Sequence, residues 1–246
     1  MEPIYRKEFL IDTIHLDCFG RLKPSVLLYF AQEAAGGHCL QLGTDWDSLQ
    51  KKHLFWALIR TSVQITRLPG AGETVTVETW PMPTTRTAYP RATVGYDQAG
   101  QELFRSVSLW VLMDTHTRAM VLPGRSGVEI SGVVRGNELA APRSLPPQTL
   151  DRHDLRTVRF SQLDRNGHMN NTRYMDWVDD LLPAAFHQVH PIRGFTLCYL
   201  SEAREDQQIR LDFDLDAQGA LVVDAHRENT DVPAGKERVF AARVEF

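Results

Sequence analysis

A six-residue motif occurs twice in this chain of 246 residues, and the spacing of its copies limits the fold more than any other feature. Residues 17–22 read DCFGRL and residues 164–169 read DRNGHM, 147 positions apart. Similarity at one fixed offset marks a duplicated structural unit. Continued without gaps, the offset sets Ser25 against Thr172, Leu27 against Tyr174, Phe30 against Trp177 and Ala31 against Val178. Tyr174, Trp177, Val178, Leu181 and Leu182 then recur at the spacing of one apolar helix face. In the first copy Val26, Phe30 and Ala34 mark a similar stripe, which Gly36 and Gly37 should end.

Strand patterns follow each helical stretch. Residues 74–80 alternate, residues 102–114 form a long strand candidate, and a turn is expected at Asp97 to Gly100. In the second half Ile209, Leu211, Phe213 and Leu215 alternate with Arg210, Asp212, Asp214 and Asp216, a turn follows at Ala217 to Gly219, and residues 239–246 close the sheet. Between the halves, residues 137–152 hold Pro142, Pro146 and Pro147 and read as a connection. The expected architecture is therefore α+β, with an N-terminal domain over 1–136, a linker over 137–152 and a C-terminal domain over 153–246, each domain a helix covered by an antiparallel sheet.

Composition excludes several function classes. With 27 Lys and Arg against 31 Asp and Glu, general nucleic-acid affinity is not expected. No stretch approaches the ~20 apolar residues of a membrane span, and the start of the chain lacks a signal-peptide core. The three cysteines, Cys18, Cys39 and Cys198, are too few and too scattered for a disulfide framework, so a reducing cytoplasm is the expected compartment. No Gly-rich phosphate loop follows a strand, so no nucleotide cofactor is expected. His187 and His190 have helical ligand spacing without a third ligand nearby, so no metal is expected.

The two copies differ in their polar residues. Where the second has Asp164, Asn166 and His168, the first has Asp17, Phe19 and Arg21. Maintenance of the fold accounts for the shared Asp, Gly and apolar positions, whereas the Asn and His pair appears once, which points to one active site in the second half. The same residues also suit a turn, because Asp bonds its own backbone and Gly tolerates positive φ, while Asn170, Asn171 and Thr172 suit a helix N-cap. A His delivered to a helix start would lie beside backbone N–H groups able to stabilise an oxyanion.

Residues 164–177, DRNGHMNNTRYMDW, resemble the Asp-x-Asn-x-His-x-Asn-Asn-x-x-Tyr signature of acyl-acyl-carrier-protein (acyl-ACP) thioesterases, the tandem hot-dog enzymes of plants and bacteria. Residues 55–60, 72–80 and 106–118 are similar to further blocks of that family, so the resemblance spans nearly the whole chain. It implies two tandem hot-dog domains, each a long helix wrapped by an antiparallel sheet, with the second catalytic. It implies Asp164, Asn166 and His168 as site residues, and Glu202, 34 residues after His168 in a Tyr-x-x-Glu context, as the further acid. Plant members typically carry Cys after this Glu; here the position is Ala203, so a covalent route through it is closed. Phe30, Trp56 and Trp80 become candidates for the acyl-chain pocket, although aromatic residues there equally suit ordinary core.

Thioester hydrolysis needs a positioned water, a base and oxyanion donors. The expected assignment is Glu202 with His168 as base, Asn166 orienting water or substrate, Asp164 holding the loop and helix-start N–H groups polarising the carbonyl. Partial burial would raise the Glu202 pKa. The implied partner is acyl carrier protein bearing an acyl-phosphopantetheine group; a homodimer stays open. Seven Arg against four acids in residues 116–160 suggest a basic approach surface for that acidic partner, with a solvated linker as the other reading. An acyl-CoA thioesterase and a non-enzymatic acyl-binding sensor remain alternatives, the second needing a partner or DNA-binding module for which no residues are spare.

Overall fold

The duplicated motif folds into the same loop twice. In the computed structural model, which describes residues 3–228 and 237–246, Asp17 Oδ1 accepts the backbone N–H of Phe19 and of Arg21 at 2.9 Å each. Asp164 Oδ1 accepts those of Asn166 at 2.8 Å and His168 at 3.4 Å. Each Asp N–H donates to the carbonyl four residues on, at 2.8 Å in both copies. Gly20 and Gly167 take the left-handed conformation that closes the turn, with φ of 76° and 74°. Isolated bridges, Leu16 to Leu22 and Leu163 to Met169, seal the two loops. Short 3-10 turns, Thr13–His15 and Phe160–Gln162, precede them at the same offset.

The chain divides at Pro142 and Arg143 into two compact units. The first contains β1 (Tyr5–Leu10), α1 (Pro24–Leu42), α2 (Trp46–Gln50), β2 (Leu54–Ile65), β3 (Thr74–Pro81), β4 (Tyr89–Tyr96), β5 (Glu102–Asp114), β6 (Met120–Val121) and α3 (Pro123–Ser126). Its antiparallel sheet runs in the order β1-β3-β4-β5-β2, with β6 beside β5. Helix α1 begins at Pro24, whose fixed φ and missing N–H suit a first helical position. It does not stop at Gly36 and Gly37 but runs to a left-handed cap at Gly43. Packing overrides the local signal there: a Cβ at Gly37 would lie 2.5 Å from Tyr5 Oη, so the glycine lets β1 press against the helix. Phe30 is buried and stacks on Phe9 at 4.1 Å, joining α1 to the same strand.

The sheet face toward α1 is partly polar. Buried Arg91 donates to His38 Nδ1 at 3.2 Å and Thr79 Oγ1 at 3.3 Å, and Thr79 lies 3.0 Å from Thr93. The opposite face carries Trp80, Ala92, Val94 and Val107, covered in part by Val133 and Leu139.

The second unit contains β7 (Arg152–Thr157), α4 (Arg173–Asp179), α5 (Ala184–Val189), β8 (Gly194–Tyr199), β9 (Gln208–Leu215), β10 (Leu221–Arg227) and β11 (Arg238–Glu245). Its strands pair as β7-β9-β10-β11-β8, the order of the first unit strand for strand. Strand β11 is interior, between β10 and β8. Tyr174, Trp177, Val178 and Leu182 are buried as the periodicity requires. The long helix is replaced by the short α4 and α5, because Pro183 supplies no N–H to continue the ladder. His187 and His190 do not point at a common centre: His187 Nε2 donates to the Asp179 carbonyl at 2.9 Å and His190 Nδ1 to that of Phe186 at 3.1 Å.

The connection is tied to the second unit by a buried carboxylate. Asp224, whose side chain is 1% exposed, accepts from Arg238 Nε at 2.5 Å and from the Gln148 N–H at 2.9 Å. Arg238 also donates to the carbonyls of Leu145 and Pro146 at 3.0 Å each. Removing one member of a buried ion pair strands the other charge, so Asp224→Ala is expected to cost about 3–5 kcal/mol in denaturant unfolding. A loss below about 1 kcal/mol would show that Arg238 is satisfied without it.

Candidate active site

Three hydrogen-bonded steps build the site. The Met169 N–H donates to the Ala203 carbonyl at 2.8 Å, pinning the Asp164 loop to the segment after β8. The Leu200 and Ser201 N–H groups both donate to the Val239 carbonyl, at 2.9 and 3.1 Å, and turn the chain out of the sheet just before Glu202. His168 Nε2 then lies 3.0 Å from Glu202 Oε2, with side chains 12% and 35% exposed. The imidazole is sheltered while the carboxylate stays open to a water. Arg204 Nη2 sits 3.7 Å from the same carboxylate oxygen.

Asp164 spends Oδ1 on its own loop, so its place is that of a scaffold beneath His168. Asn166 is exposed at the turn of the same loop. The backing is aromatic: Tyr174 packs edge-on against Tyr199 at 5.3 Å and Phe240 at 5.0 Å, and the Tyr199 hydroxyl donates to the Asn171 carbonyl at 3.0 Å. Burial pushes the pKa of both phenols up.

The helix start contributes less than its sequence suggests. Asn170 Oδ1 takes the Thr172 N–H at 3.0 Å and hydroxyl at 2.8 Å, and the Arg173 N–H donates to the Asn170 carbonyl at 2.9 Å. Those two amides are already in use, and α4 has only seven residues over which a dipole could accumulate.

The first unit shows what the site lacks there. The Leu22 N–H donates to the Pro69 carbonyl at 3.0 Å, and Thr66 and Arg67 both donate to that of Leu103, at 2.8 and 3.1 Å. Leu68 and Pro69 therefore stand where Glu202 and Ala203 stand. Arg21 occupies the His168 position and pairs with its own Asp17 at 3.0 Å. The Glu202–His168 pair therefore has no counterpart in that loop.

The pocket candidates separate. Phe30 lies on α1, and Trp56, whose Nε1 donates to the Thr44 carbonyl at 2.9 Å, shares the α1 side of the sheet through its pairing with Leu112. Trp80 points to the opposite face, donating to Glu138 at 3.2 Å beneath Arg135 at 4.9 Å. Cys198 is buried with its thiol toward the Arg143 carbonyl at 3.7 Å, and Ala203 is buried. Sequence reasoning missed Arg227, which reaches from β10 to the Glu202 carbonyl; a lone Arg on a strand 25 positions away gives no local signal.

Residues 2–122 match the family model of the acyl-ACP thioesterase N-terminal domain and residues 147–238 that of the C-terminal domain. A chloroplastic dodecanoyl-[acyl-carrier-protein] hydrolase of Cinnamomum camphora is 28% identical over 84% of this chain, and one of Umbellularia californica is 29% identical over the same share. The chain spans 58% of the length of each of these relatives. Among solved structures, the 12:0-ACP thioesterase from Umbellularia californica covers 100% of this chain and 97% of its own, with TM-score 0.83 and 27% identity. An acyl-ACP thioesterase from Bacteroides thetaiotaomicron covers 99% and 98%, with TM-score 0.88 and 24% identity, and shares the hot-dog fold. With both of its units matched in order, the chain belongs to the acyl-ACP thioesterase family.

Proposed function

We propose that this protein hydrolyses the thioester of fatty acyl-ACP, releasing a free fatty acid and holo-ACP, and that its catalytic residues all come from the second unit. The observation that carries the reading is the 3.0 Å contact of His168 with Glu202, whose counterparts in the first unit are Arg21 and Leu68. Glu202, whose Oε2 faces His168, accepts a proton from water as that water attacks the thioester carbon. His168, holding Nε2–H on the carboxylate, relays the proton to the departing thiolate when the tetrahedral intermediate collapses. Asn166, on the lip of the loop, offers its amide to the water or to the carbonyl oxygen. Asp164 keeps the loop in shape. Phe30 and Trp56, on the α1 side of the first unit, are the candidates for acyl-chain contact, and Trp80, on the opposite face, acts as core. No helix among the described residues is long and apolar enough to cross a membrane.

The carrier-protein surface is narrower than the sequence suggests. Of the Arg residues in 116–160, Arg135 pairs with Glu78 at 2.7 Å, Arg152 with Asp214 at 3.3 Å, Arg156 with Asp154 at 2.6 Å and Arg159 with Asp206 at 3.4 Å. The docking proposal therefore rests on exposed Arg125 and Arg143. Charge reversal at both is expected to raise KM for acyl-ACP about 5–10-fold, as loss of electrostatic attraction does, and to leave KM for a small acyl thioester unchanged. Equal effects on both substrates would remove docking from these residues. The substrate itself is tested by comparing kcat/KM on ACP and CoA thioesters of one acyl chain. A clear preference for CoA would overturn the carrier-protein reading.

A further inference from the structure

We propose that Arg227 is a positioning residue that holds the Glu202–Ala203 peptide and so aims the Glu202 carboxylate at His168. The inference rests on the reading of Glu202 as the base. Glu202 follows β8 in a stretch that is neither strand nor helix, so no ladder fixes the direction of its side chain. Its peptide is held by a side chain instead. Arg227 Nη2 donates to the Glu202 carbonyl and, at 3.3 Å, to Ser201 Oγ, while its Nε donates to Gln207 Oε1 at 3.3 Å, so one guanidinium spans the turn. The Ala203 carbonyl then receives the Met169 N–H at 2.8 Å, which brings in the residue next to His168.

The Glu202–Ala203 peptide is thus held at its carbonyl and the following peptide at the Ala203 carbonyl, and a rotation of the first plane would swing the carboxylate away from the imidazole. Arg227 is drawn into a half-buried position where desolvation lowers its pKa, a cost incurred beside a backbone oxygen.

The test is a mutant cycle on the full chain with acyl-ACP as substrate. Arg227→Met is expected to lower kcat about 10–100-fold, as misplacement of a reacting group does, with KM within about 2-fold. Arg227→Lys, which can still donate to the Glu202 carbonyl, is expected to recover most of the loss. In a Glu202→Gln background Arg227→Met should cost less than about 3-fold, because its effect passes through the missing carboxylate. Wild-type kcat in Arg227→Met, or the same loss with and without Glu202, would overturn the proposal. Arg227→Gln decides the matter if Arg227→Met fails to fold. Should Glu202→Gln itself turn over normally, the base assignment fails; a crippled Glu202→Gln beside a fully active Arg227→Met refutes the positioning role alone.

Discussion

Glu202→Gln and His168→Ala are each expected to lower kcat on acyl-ACP about 10²–10⁴-fold, the range over which positioned acid and base groups act. Glutamine keeps the shape of the side chain but cannot accept the water proton, and alanine removes the only imidazole that reaches Glu202 in the second unit among the described residues. Stability should change little, since Glu202 is one-third exposed and neither side chain belongs to the apolar core. Thermal unfolding within a few degrees of wild type, together with a collapsed kcat, is the expected pattern. Two folded variants with turnover near wild type would remove both residues from the mechanism.

The duplicated loop supplies an internal control for the next largest effect. Asp164→Ala and Asp17→Ala each delete an oxygen that holds two backbone N–H groups. Each is expected to cost about 1–2 kcal/mol of stability, the usual cost of losing such a side-chain cap. Their effects on turnover should differ. Asp164→Ala frees the loop that carries His168 and is expected to lower kcat about 10²-fold through misplacement. Asp17→Ala frees a loop that carries Arg21 and should change kcat by less than about 3-fold. Steady-state kinetics beside denaturant melts separate the two quantities. Equal losses of kcat would mean that the first unit takes part in the chemistry.

The parts of the fold that depend on local residues were legible in the sequence. The offset between Asp17 and Asp164 reappears as two superposable loops, and β5 spans Glu102–Asp114 because its alternation is long and bounded by a turn at Asp97 and Gly100. Features decided by distant partners were not. Gly36 and Gly37 looked like a helix end, but Tyr5 needs the space above Gly37 and the helix continues. The apolar stripe through Leu181 and Leu182 looked like one long helix until Pro183 divided it. Trp80 looked like pocket lining, yet strand pairing turns it away from α1. The basic character of residues 116–160 faded for the same reason, since Glu78, Asp206 and Asp214 are far along the chain.

The site followed the same division. Asp164, Asn166 and His168 lie within five positions and could be read together, whereas the meeting of His168 with Glu202 depends on the Met169 to Ala203 hydrogen bond. Arg227 joins through strand β10 and carries no sequence signal of its role.

If His168 and Glu202 act as one unit at a single thioesterase site, the rate of fatty acid release from acyl-ACP by the His168→Ala/Glu202→Gln double variant shows it. Groups that act together lose their function once, so the double variant should be no more than about 3-fold slower than the worse single variant. Losses that multiply, or turnover that persists near the wild-type rate, would contradict it.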